Sequence, residues 1–231
     1  MKYSEYKEKE KKRLDIAIGH LEKGVDFADI SSAFIDETVE IGEGTFIGPC
    51  VTLEGNTVIG KNCTIYQNTR ICDSTIGDGA EVQSSVVLDS SVGEGTKVGP
   101  FAYVRPGSAI GKNCKVGDFV EIKNSSFGDG SKTAHLTYIG DADVGRDVNI
   151  GCGVVFVNYD GTNKYRSTVG NGAFIGCNSN LVSPVTVEDG AYIAAGSTVT
   201  KDVPEDALCV ARARQRNIEG WAEKRGLYNK K

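Results

Sequence analysis

The stretch IDETVEIGEGTFIGPCVTLEGNTVIGKNCTIYQNTRI, residues 35–71, carries an aliphatic residue at every sixth position. Seven residues keep this spacing: Ile35, Ile41, Ile47, Leu53, Ile59, Ile65 and Ile71. The same spacing returns over positions 92–122 and again over positions 169–199. Glycine often follows the aliphatic residue, and small or polar residues fill most other positions. A period of six belongs neither to an amphipathic helix nor to a simple alternating strand.

A repeat this short predicts a solenoid built from stacked coils. Each hexapeptide would form one side of a triangular coil, and about 18 residues would complete a turn. The aliphatic side chain would point inward and stack on its counterpart one coil away. Glycine and asparagine would serve the corners, where tight turns favour positive φ. Known hexapeptide coils wind left-handed, against the usual crossover rule. We therefore expect an all-β, left-handed parallel β-helix, although the period itself does not fix the hand.

The chain divides into three segments. Residues 1–24 predict an N-terminal, linker-like helix, with Leu14, Ile16, Ile18 and Leu21 as an imperfect apolar stripe. Residues 25–205 form the coil domain, and residues 206–231 form a C-terminal segment with a short extended piece and a short helix or tail. The register slips by one residue after position 156, where no aliphatic residue occupies the expected place. This slip predicts a protruding loop at 157–168, and loops on rigid scaffolds often carry function.

Composition excludes several classes of protein. The net charge of −5 gives no global field that favours nucleic acid. No apolar run is long enough to span a membrane, and the N-terminus MKYSEYKEKEKKR lacks the apolar core of a secretory signal, so we expect a cytoplasmic protein. The seven cysteines are odd in number and show no CxxC spacing. They favour small buried thiols in a reducing compartment over a disulfide framework or a zinc site.

The register also places polar side chains beside one another. Arg105 and Lys123 are 18 residues apart in an unbroken stretch, so they should stack one coil apart. Two interpretations stay open: two solvated side chains that diverge, or a paired cationic site for a phosphate. With one short step allowed, Tyr138 falls one coil after Glu121, and His135 lies nearby. His135 is one of two histidines, and its ring suits a general base, although a structural role is the alternative.

Four stretches carry a resemblance to a known family. They are RPGSAIGKNCKVGDFVEIKNS, KTAHLTYIGDADVGRDVNIGCG, the segment from VNYDGTNKYRST to TKDVP, and ARARQRNIEGW. Together they resemble the acetyltransferase domain of the bifunctional N-acetylglucosamine-1-phosphate uridyltransferase/glucosamine-1-phosphate N-acetyltransferase family. The motifs HLTYIGDA and NYDG are far more specific than the hexapeptide period.

The resemblance implies an enzyme that acetylates the 2-amino group of glucosamine 1-phosphate, on the pathway to UDP-N-acetylglucosamine and cell-wall peptidoglycan. Acetyl-CoA would be the co-substrate, no metal would be needed for acetyl transfer, and homotrimers would build active sites between subunits. The implied catalytic group comprises the general base His135, the supporting Glu121, and Cys177 near the oxyanion. The implied substrate ligands are Arg105, Lys123, Tyr138, Asn149 and Lys164. The implied acetyl-CoA ligands are Cys152, Asn158, Tyr159, Cys177, Ala195 and Arg212.

Two departures from the family pattern qualify these expectations. No glycine-rich nucleotide loop is present, so uridyl transfer should be missing, and a separate nucleotidyltransferase could be a partner. Cys177 stands where many members carry serine, and a thiol is the weaker hydrogen-bond donor. Two alternatives stay open: an acyltransferase for another amino-sugar phosphate or a nucleotide-linked amino sugar, and a non-catalytic trimeric platform for a separate nucleotidyltransferase.

Overall fold

The computed structural model describes residues 1–227 and shows an all-parallel β-solenoid of about ten turns. The inward aliphatic residues stack from coil to coil and form one continuous core. All residues of the six-residue register are buried except Ile41, which is half-buried against that core near the first turn. The predicted hexapeptide β-helix is confirmed.

The three sides of the coil form three parallel sheets, here called faces 1, 2 and 3. Face 1 contains β1 (Asp26–Phe27), β4 (Phe46–Ile47), β7 (Thr64–Ile65), β10 (Glu81–Val82), β13 (Lys97–Val98), β16 (Lys115–Asp118), β19 (Lys132–His135), β22 (Asn149–Ile150), β25 (Phe174–Ile175), β28 (Tyr192–Ile193) and β30 (Leu208–Cys209). Face 2 contains β2 (Phe34–Ile35), β5 (Thr52–Glu54), β8 (Arg70–Cys72), β11 (Val86–Leu88), β14 (Tyr103–Val104), β17 (Glu121–Lys123), β20 (Tyr138–Gly140), β23 (Val155–Val157), β26 (Asn180–Val182) and β29 (Thr198–Val199). Face 3 contains β3 (Glu40–Ile41), β6 (Val58–Ile59), β9 (Thr75–Ile76), β12 (Ser90–Val92), β15 (Ser108–Ile110), β18 (Ser126–Phe127), β21 (Ala142–Val144), β24 (Ser167–Val169) and β27 (Thr186–Val187).

Glycine has two separate roles in the turn that contains the segment IGDGA at 76–80. A Cβ added to Gly77 would lie 2.6 Å from the backbone nitrogen of Glu94 in the next coil. Gly79 has φ +66°, and an added Cβ there would meet no atom within 4 Å. The glycine after the aliphatic residue therefore allows close approach of two coils, whereas the second glycine supplies the positive φ of the corner. The expectation that corner glycines have positive φ therefore holds for Gly79 but not for Gly77.

Two helices flank the solenoid, α1 (Tyr3–Leu21) and α2 (Trp221–Lys224). The predicted apolar stripe of α1 is only partly correct. Leu14 and Ile16 are half-buried, with Ile16 against the core, whereas Ile18 and Leu21 are exposed. The buried side chains of the helix are Ala17 and His20. Helix α1 is held to the first coil through Arg13, whose Nη1 donates to the carbonyl of Ala33 at 2.7 Å. No helix among residues 1–227 combines the length and apolarity needed to cross a bilayer. The C-terminal segment extends four residues beyond the described range.

The cysteines only partly match the expected buried thiols. All seven are free, but only Cys63 and Cys114 are buried, and Cys50 and Cys177 are exposed. Burial raises the pKa of the Cys63 and Cys114 thiols, which keeps them protonated and inert at neutral pH.

Candidate active site

A column of side chains that includes several predicted site residues runs along the corner between faces 1 and 2. Asp118 pairs with His135 in register, and Cys152 follows one coil later, because β19 and β22 keep the same 17-residue offset. The Cys152 carbonyl accepts a hydrogen bond from the residue after Cys177, and the Cys177 carbonyl accepts one from the residue after Ala195, both at 2.8 Å. Asp118, His135, Cys152, Cys177 and Ala195 therefore occupy five successive coils.

His135 has a carboxylate partner in this column. Its Nδ1 lies 2.6 Å from Oδ1 of Asp118, and 56% of the His135 side chain is exposed. The hydrogen bond from His135 is the largest cause of a lowered pKa of the Asp118 carboxyl. The site thus holds an exposed imidazole against an ionised carboxylate.

Arg105 and Lys123 do not form a bare pair of positive charges. The Arg105 backbone N–H donates to the carbonyl of Ile122 at 2.8 Å, so Arg105 and Lys123 lie side by side on face 2, as predicted. However, Nη1 of Arg105 lies 2.6 Å from Oε1 of Glu121, and Nζ of Lys123 lies 3.0 Å from Oδ2 of Asp141. Each cation therefore has its own carboxylate, which removes the expected like-charge repulsion.

Asp141 is the centre of a small polar cluster. Its side chain is 9% exposed, and it accepts hydrogen bonds from Lys123, from Asn124 at 2.7 Å and from Asn158 at 2.5 Å. Burial raises the pKa of the Asp141 carboxyl, but these hydrogen bonds and the Lys123 charge outweigh burial, and the pKa lies below its ordinary value. Asp141 therefore remains a carboxylate that fixes the Lys123 ammonium on face 2.

Tyr138 lies in register with Glu121 one coil away, as the sequence predicted. Its hydroxyl is 3.4 Å from Nδ2 of Asn158. An added Cβ on Gly140 would collide with the Tyr138 hydroxyl, so the hydroxyl end of the ring lies against this glycine. Tyr138 is thereby placed between the Arg105–Glu121 pair and the Asp141 cluster.

The break in the register is an exposed loop between β23 and β24. Tyr159 and Lys164 form an isolated antiparallel bridge across it. Asp160 accepts two backbone N–H bonds within the loop, both at 2.7 Å, and these bonds account for its lowered pKa. At the base of the loop, Arg166 donates to both oxygens of Asp143 at 2.5 Å. The loop is thus an internally bonded protrusion with an anchored base.

The remaining predicted ligands are spread over the chain, and of these only Asn158 shares a partner with Lys123. Asn149 is exposed at the start of β22 on face 1, in register with Lys132. Ala195 is exposed at the corner, and Arg212 is exposed after β30. Asn158 is buried, with its amide nitrogen turned to Asp141. A single chain therefore places His135 and Asn149 on face 1, and Tyr138, Lys123 and Arg105 on face 2.

Three important side chains were missed from the sequence. Asp118 precedes His135 by 17 residues, the same short step that paired Glu121 with Tyr138, so the register could have found it. Lys123 pairs in register with Gly140, and Asp141 is the next residue, so the same register could have found Asp141. Arg166 bonds to Asp143 across the irregular loop, and no periodic signal predicts that contact.

An apolar ridge borders the column at the same corner. Phe101, Phe119 and Leu136, called the corner ridge below, are each more than half exposed. All three have φ between +45° and +58°, a region that bulky residues rarely occupy. The rings of Phe101 and Phe119 stack with centroids 5.6 Å apart, and Leu136 directly follows His135. Among residues 1–227, no cluster of three or more His, Cys, Asp or Glu side chains could hold a metal ion.

Comparisons with known proteins agree with the hexapeptide-repeat fold. The family described as bacterial transferase hexapeptide (six repeats) matches residues 89–124 and 166–201, and the GMPPB C-terminal domain matches residues 30–105. The bifunctional protein GlmU of Clostridium beijerinckii is 58% identical over 212 residues, which are 92% of this chain and 47% of that protein. GlmU of Clostridium botulinum strain 657 is 58% identical over 211 residues, 91% of this chain and 46% of that protein. The solved structure of Arabidopsis UDP-N-acetylglucosamine acyltransferase aligns with a TM-score of 0.54 at 17% identity, covering 84% of this chain and 75% of that one.

The fold and the repeats define a hexapeptide-repeat protein of the left-handed parallel β-helix class. Within this class, the chain is a homologue of the GlmU proteins, and the resemblance predicted from its motifs is confirmed. The chain spans about half the length of the curated relatives that it matches.

Proposed function

We propose that the protein transfers the acetyl group of acetyl-CoA to the 2-amino group of glucosamine 1-phosphate and forms N-acetylglucosamine 1-phosphate. The observation that carries the proposal is the exposed His135–Asp118 pair, one corner away from Lys123 and Arg105. This arrangement puts a proton acceptor and cations that suit a phosphate on adjacent faces of the coil. The high identity to bifunctional GlmU proteins supports the same assignment.

In the proposed mechanism, His135 removes a proton from the substrate amine while the nitrogen attacks the thioester carbonyl. The carbon–sulfur bond breaks as the tetrahedral intermediate collapses, and CoA leaves as a thiol after it takes up the proton from the imidazolium. Cys177 is exposed, and its backbone N–H has no partner within residues 1–227, so it could donate to the oxyanion together with the thiol. Binding both substrates side by side supplies proximity, and general acid–base help contributes about 10²–10⁴ in rate.

The substrate-binding roles follow from where each side chain lies. A sugar phosphate would displace Glu121 from the half-exposed Arg105, while Lys123 would stay anchored to Asp141. Tyr138, Asn149 and Lys164 would contact the sugar. Acetyl-CoA would follow the corner column along Cys152, Cys177 and Ala195 toward Arg212, with Tyr159 at the loop. Asn158 would offer its amide oxygen, because its amide nitrogen is bound to Asp141.

The proposal extends to the assembly and the pathway. The corner ridge supports a homotrimer with active sites between subunits, because another copy would cover exposed apolar side chains beside His135. The protruding loop would then reach a neighbouring subunit. The product would serve UDP-N-acetylglucosamine and peptidoglycan synthesis in the cytoplasm, where the exposed thiols of Cys50 and Cys177 would stay reduced.

The test is an assay with acetyl-CoA and glucosamine 1-phosphate that follows the release of free thiol. We expect turnover by the wild-type protein and a loss of at least about a hundredfold in kcat for His135→Ala, with unchanged circular dichroism. If the protein acetylated a nucleotide-linked amino sugar but not glucosamine 1-phosphate, that nucleotide sugar would be the acceptor and the proposed acceptor would be wrong. If no amino-sugar phosphate led to the release of free thiol, the result would favour a non-catalytic platform.

The phosphate-binding role has a separate test. We expect Lys123→Ala to raise the KM for glucosamine 1-phosphate more than it lowers kcat, because the ammonium would bind the phosphate, a group whose bonds do not change in the reaction. Lys112→Ala is the control, since Lys112 is also ion-paired but exposed on another part of the coil. An unchanged KM in Lys123→Ala would contradict the role.

A further inference from the structure

The carboxylates around the corner do not share one role. Glu121 is bound to Arg105 at 2.6 Å, and Asp141 is bound to Lys123, Asn124 and Asn158. Asp118 alone among these three carboxylates contacts His135, with 2.6 Å between Oδ1 and Nδ1. Asp118 is 36% exposed, and within residues 1–227 its only ion-pair partner is His135. Asp118 is therefore the carboxylate that contacts the histidine. Glu121, for which the resemblance implied a supporting role, contacts Arg105 instead.

The contact determines which ring nitrogen carries the proton. An ionised carboxylate can only accept hydrogen bonds, so Nδ1 of His135 must be the donor. The neutral ring then keeps its lone pair on Nε2. The hydrogen bond from His135 and the positive charge of Lys115 lower the pKa of Asp118, which keeps this carboxylate ionised at neutral pH. The half-exposed ring thus presents Nε2, and not Nδ1, as its proton acceptor.

We propose that Asp118 is the positioning residue of the general base, which fixes His135 in the Nδ1–H tautomer and stabilises the imidazolium that forms during acetyl transfer. The inference rests on the proposed function for its catalytic consequence. In each turnover, the proton of the substrate amine moves to Nε2 of His135 and then to the departing CoA sulfur, and Asp118 remains ionised throughout. The new bond joins the amine nitrogen to the acetyl carbon, and the bond that breaks joins that carbon to sulfur.

The position of Asp118 in the sheet supports its role as the residue that positions His135. Asp118 and His135 are the last residues of β16 and β19 and are paired across the sheet. A carboxylate on a strand is held more rigidly than one on a loop, and rigid support is what keeps a ring in one orientation.

The test uses nuclear magnetic resonance of the whole chain labelled with ¹⁵N. The chain has only two histidines, so the ring signals of His135 can be assigned by comparison with His20→Gln. We expect the Nδ1–H tautomer for His135 in the wild-type protein at a pH where the ring is neutral. Asp118→Ala should convert it to the Nε2–H form that free imidazole side chains favour, whereas Glu121→Gln should leave the tautomer unchanged.

Kinetics provide the second readout. We expect Asp118→Asn and Asp118→Ala to lower kcat by at least about tenfold while the KM of both substrates stays within about twofold, because neither variant removes a substrate contact. Asp118→Glu should restore part of the lost kcat. An unchanged tautomer together with wild-type kcat in Asp118→Ala would overturn the inference and leave the proposed function intact. A wild-type protein without acetyltransferase activity would overturn the proposed function, and the tautomer measurement would still decide how Asp118 acts on His135.

Discussion

At the scale of single residues, the two ion pairs on face 2 differ in burial. The Lys123 and Asp141 side chains are 19% and 9% exposed, whereas Arg105 and Glu121 are both 38% exposed. Removing one partner of a buried pair leaves an uncompensated charge, but an exposed pair contributes little to stability. Lys123 is therefore held in place by the fold, while Arg105 can exchange Glu121 for an anionic ligand.

This difference predicts unequal costs for two carboxylate deletions. We expect Asp141→Ala to lower the free energy of unfolding by about 2–3 kcal/mol, because it leaves the Lys123 ammonium and two amides without their acceptor. Glu121→Ala, the matched control, should cost less than about 1 kcal/mol. Urea titrations followed by circular dichroism measure both. Equal losses in the two variants would show that burial does not separate these pairs.

At the scale of the element, one turn of the coil depends on two glycines for different reasons. Gly77 has no room for a Cβ, because the backbone of the next coil lies 2.6 Å away. Gly79 has open space, but its φ of +66° disfavours other residues. Close-packed backbone cannot move aside without disturbing the neighbouring coil, whereas a positive φ carries only a local cost.

The pair Gly77→Ala and Gly79→Ala tests this distinction within a single turn. We expect Gly79→Ala to lower the free energy of unfolding by about 1–2 kcal/mol, the cost of a left-handed conformation. Gly77→Ala should cost more than about 3 kcal/mol, because the methyl group would displace a coil. Thermal unfolding monitored by circular dichroism compares them. The reverse order would mean that the coils can separate more easily than the corner can accept alanine.

The sequence predicted the coil well because its period records one repeated contact. Every inward aliphatic residue meets the same environment, so the sequence repeats an aliphatic residue at each of these positions. The same register also predicted that Glu121 and Tyr138 are neighbours. The face of α1 was predicted only in part, because Ile16 packs against the core as expected, but the buried side chains are Ala17 and His20 and Ile18 is exposed. Contacts that depend on side-chain reach, such as Arg105 with Glu121, are not determined by register alone.

At the scale of the whole molecule, two buried titratable groups predict two steps of acid destabilisation. Burial, and then the charge of Lys23, lower the pKa of His20 from its ordinary 6.5, so the unfolded chain binds this proton first and stability falls as pH drops below about 6.5. The Asp141 carboxyl has a pKa lowered from 3.8, so its contribution is present above that value and is lost as pH falls through the folded pKa.

We therefore expect the melting temperature to fall in two stages between pH 7.5 and pH 3. His20→Gln should remove the stage that begins below about pH 6.5, and Asp141→Asn should reduce the stage that begins below about pH 4. Differential scanning calorimetry at a series of pH values separates the two stages. A His20→Gln protein that keeps the first stage would assign that stage to another group.

The corner ridge predicts how copies of the chain assemble. Each bulky residue in the left-handed region costs about 1–2 kcal/mol, and three such residues persist in an exposed row beside His135. Burial of the row against another copy would offset this cost. We expect light scattering to give a mass near 74 kDa, about three times the 24.6 kDa chain. Phe119→Asp should reduce that mass, whereas Phe46→Asp, on face 1 away from the ridge, should not.

Mixed trimers test whether the sites lie between subunits. His135→Ala and Lys164→Ala are each expected to be inactive alone, because the first lacks the proposed base and the second lacks a proposed substrate ligand on the protruding loop. If the loop reaches a neighbour, equal mixing of the two unfolded variants followed by refolding creates sites in which both residues are intact. Random assembly then restores about one quarter of the wild-type activity, because a site needs one particular variant in each of two adjacent positions. No recovery from trimers shown to be mixed would mean that both residues act within one subunit, and that the ridge joins copies without sharing the site.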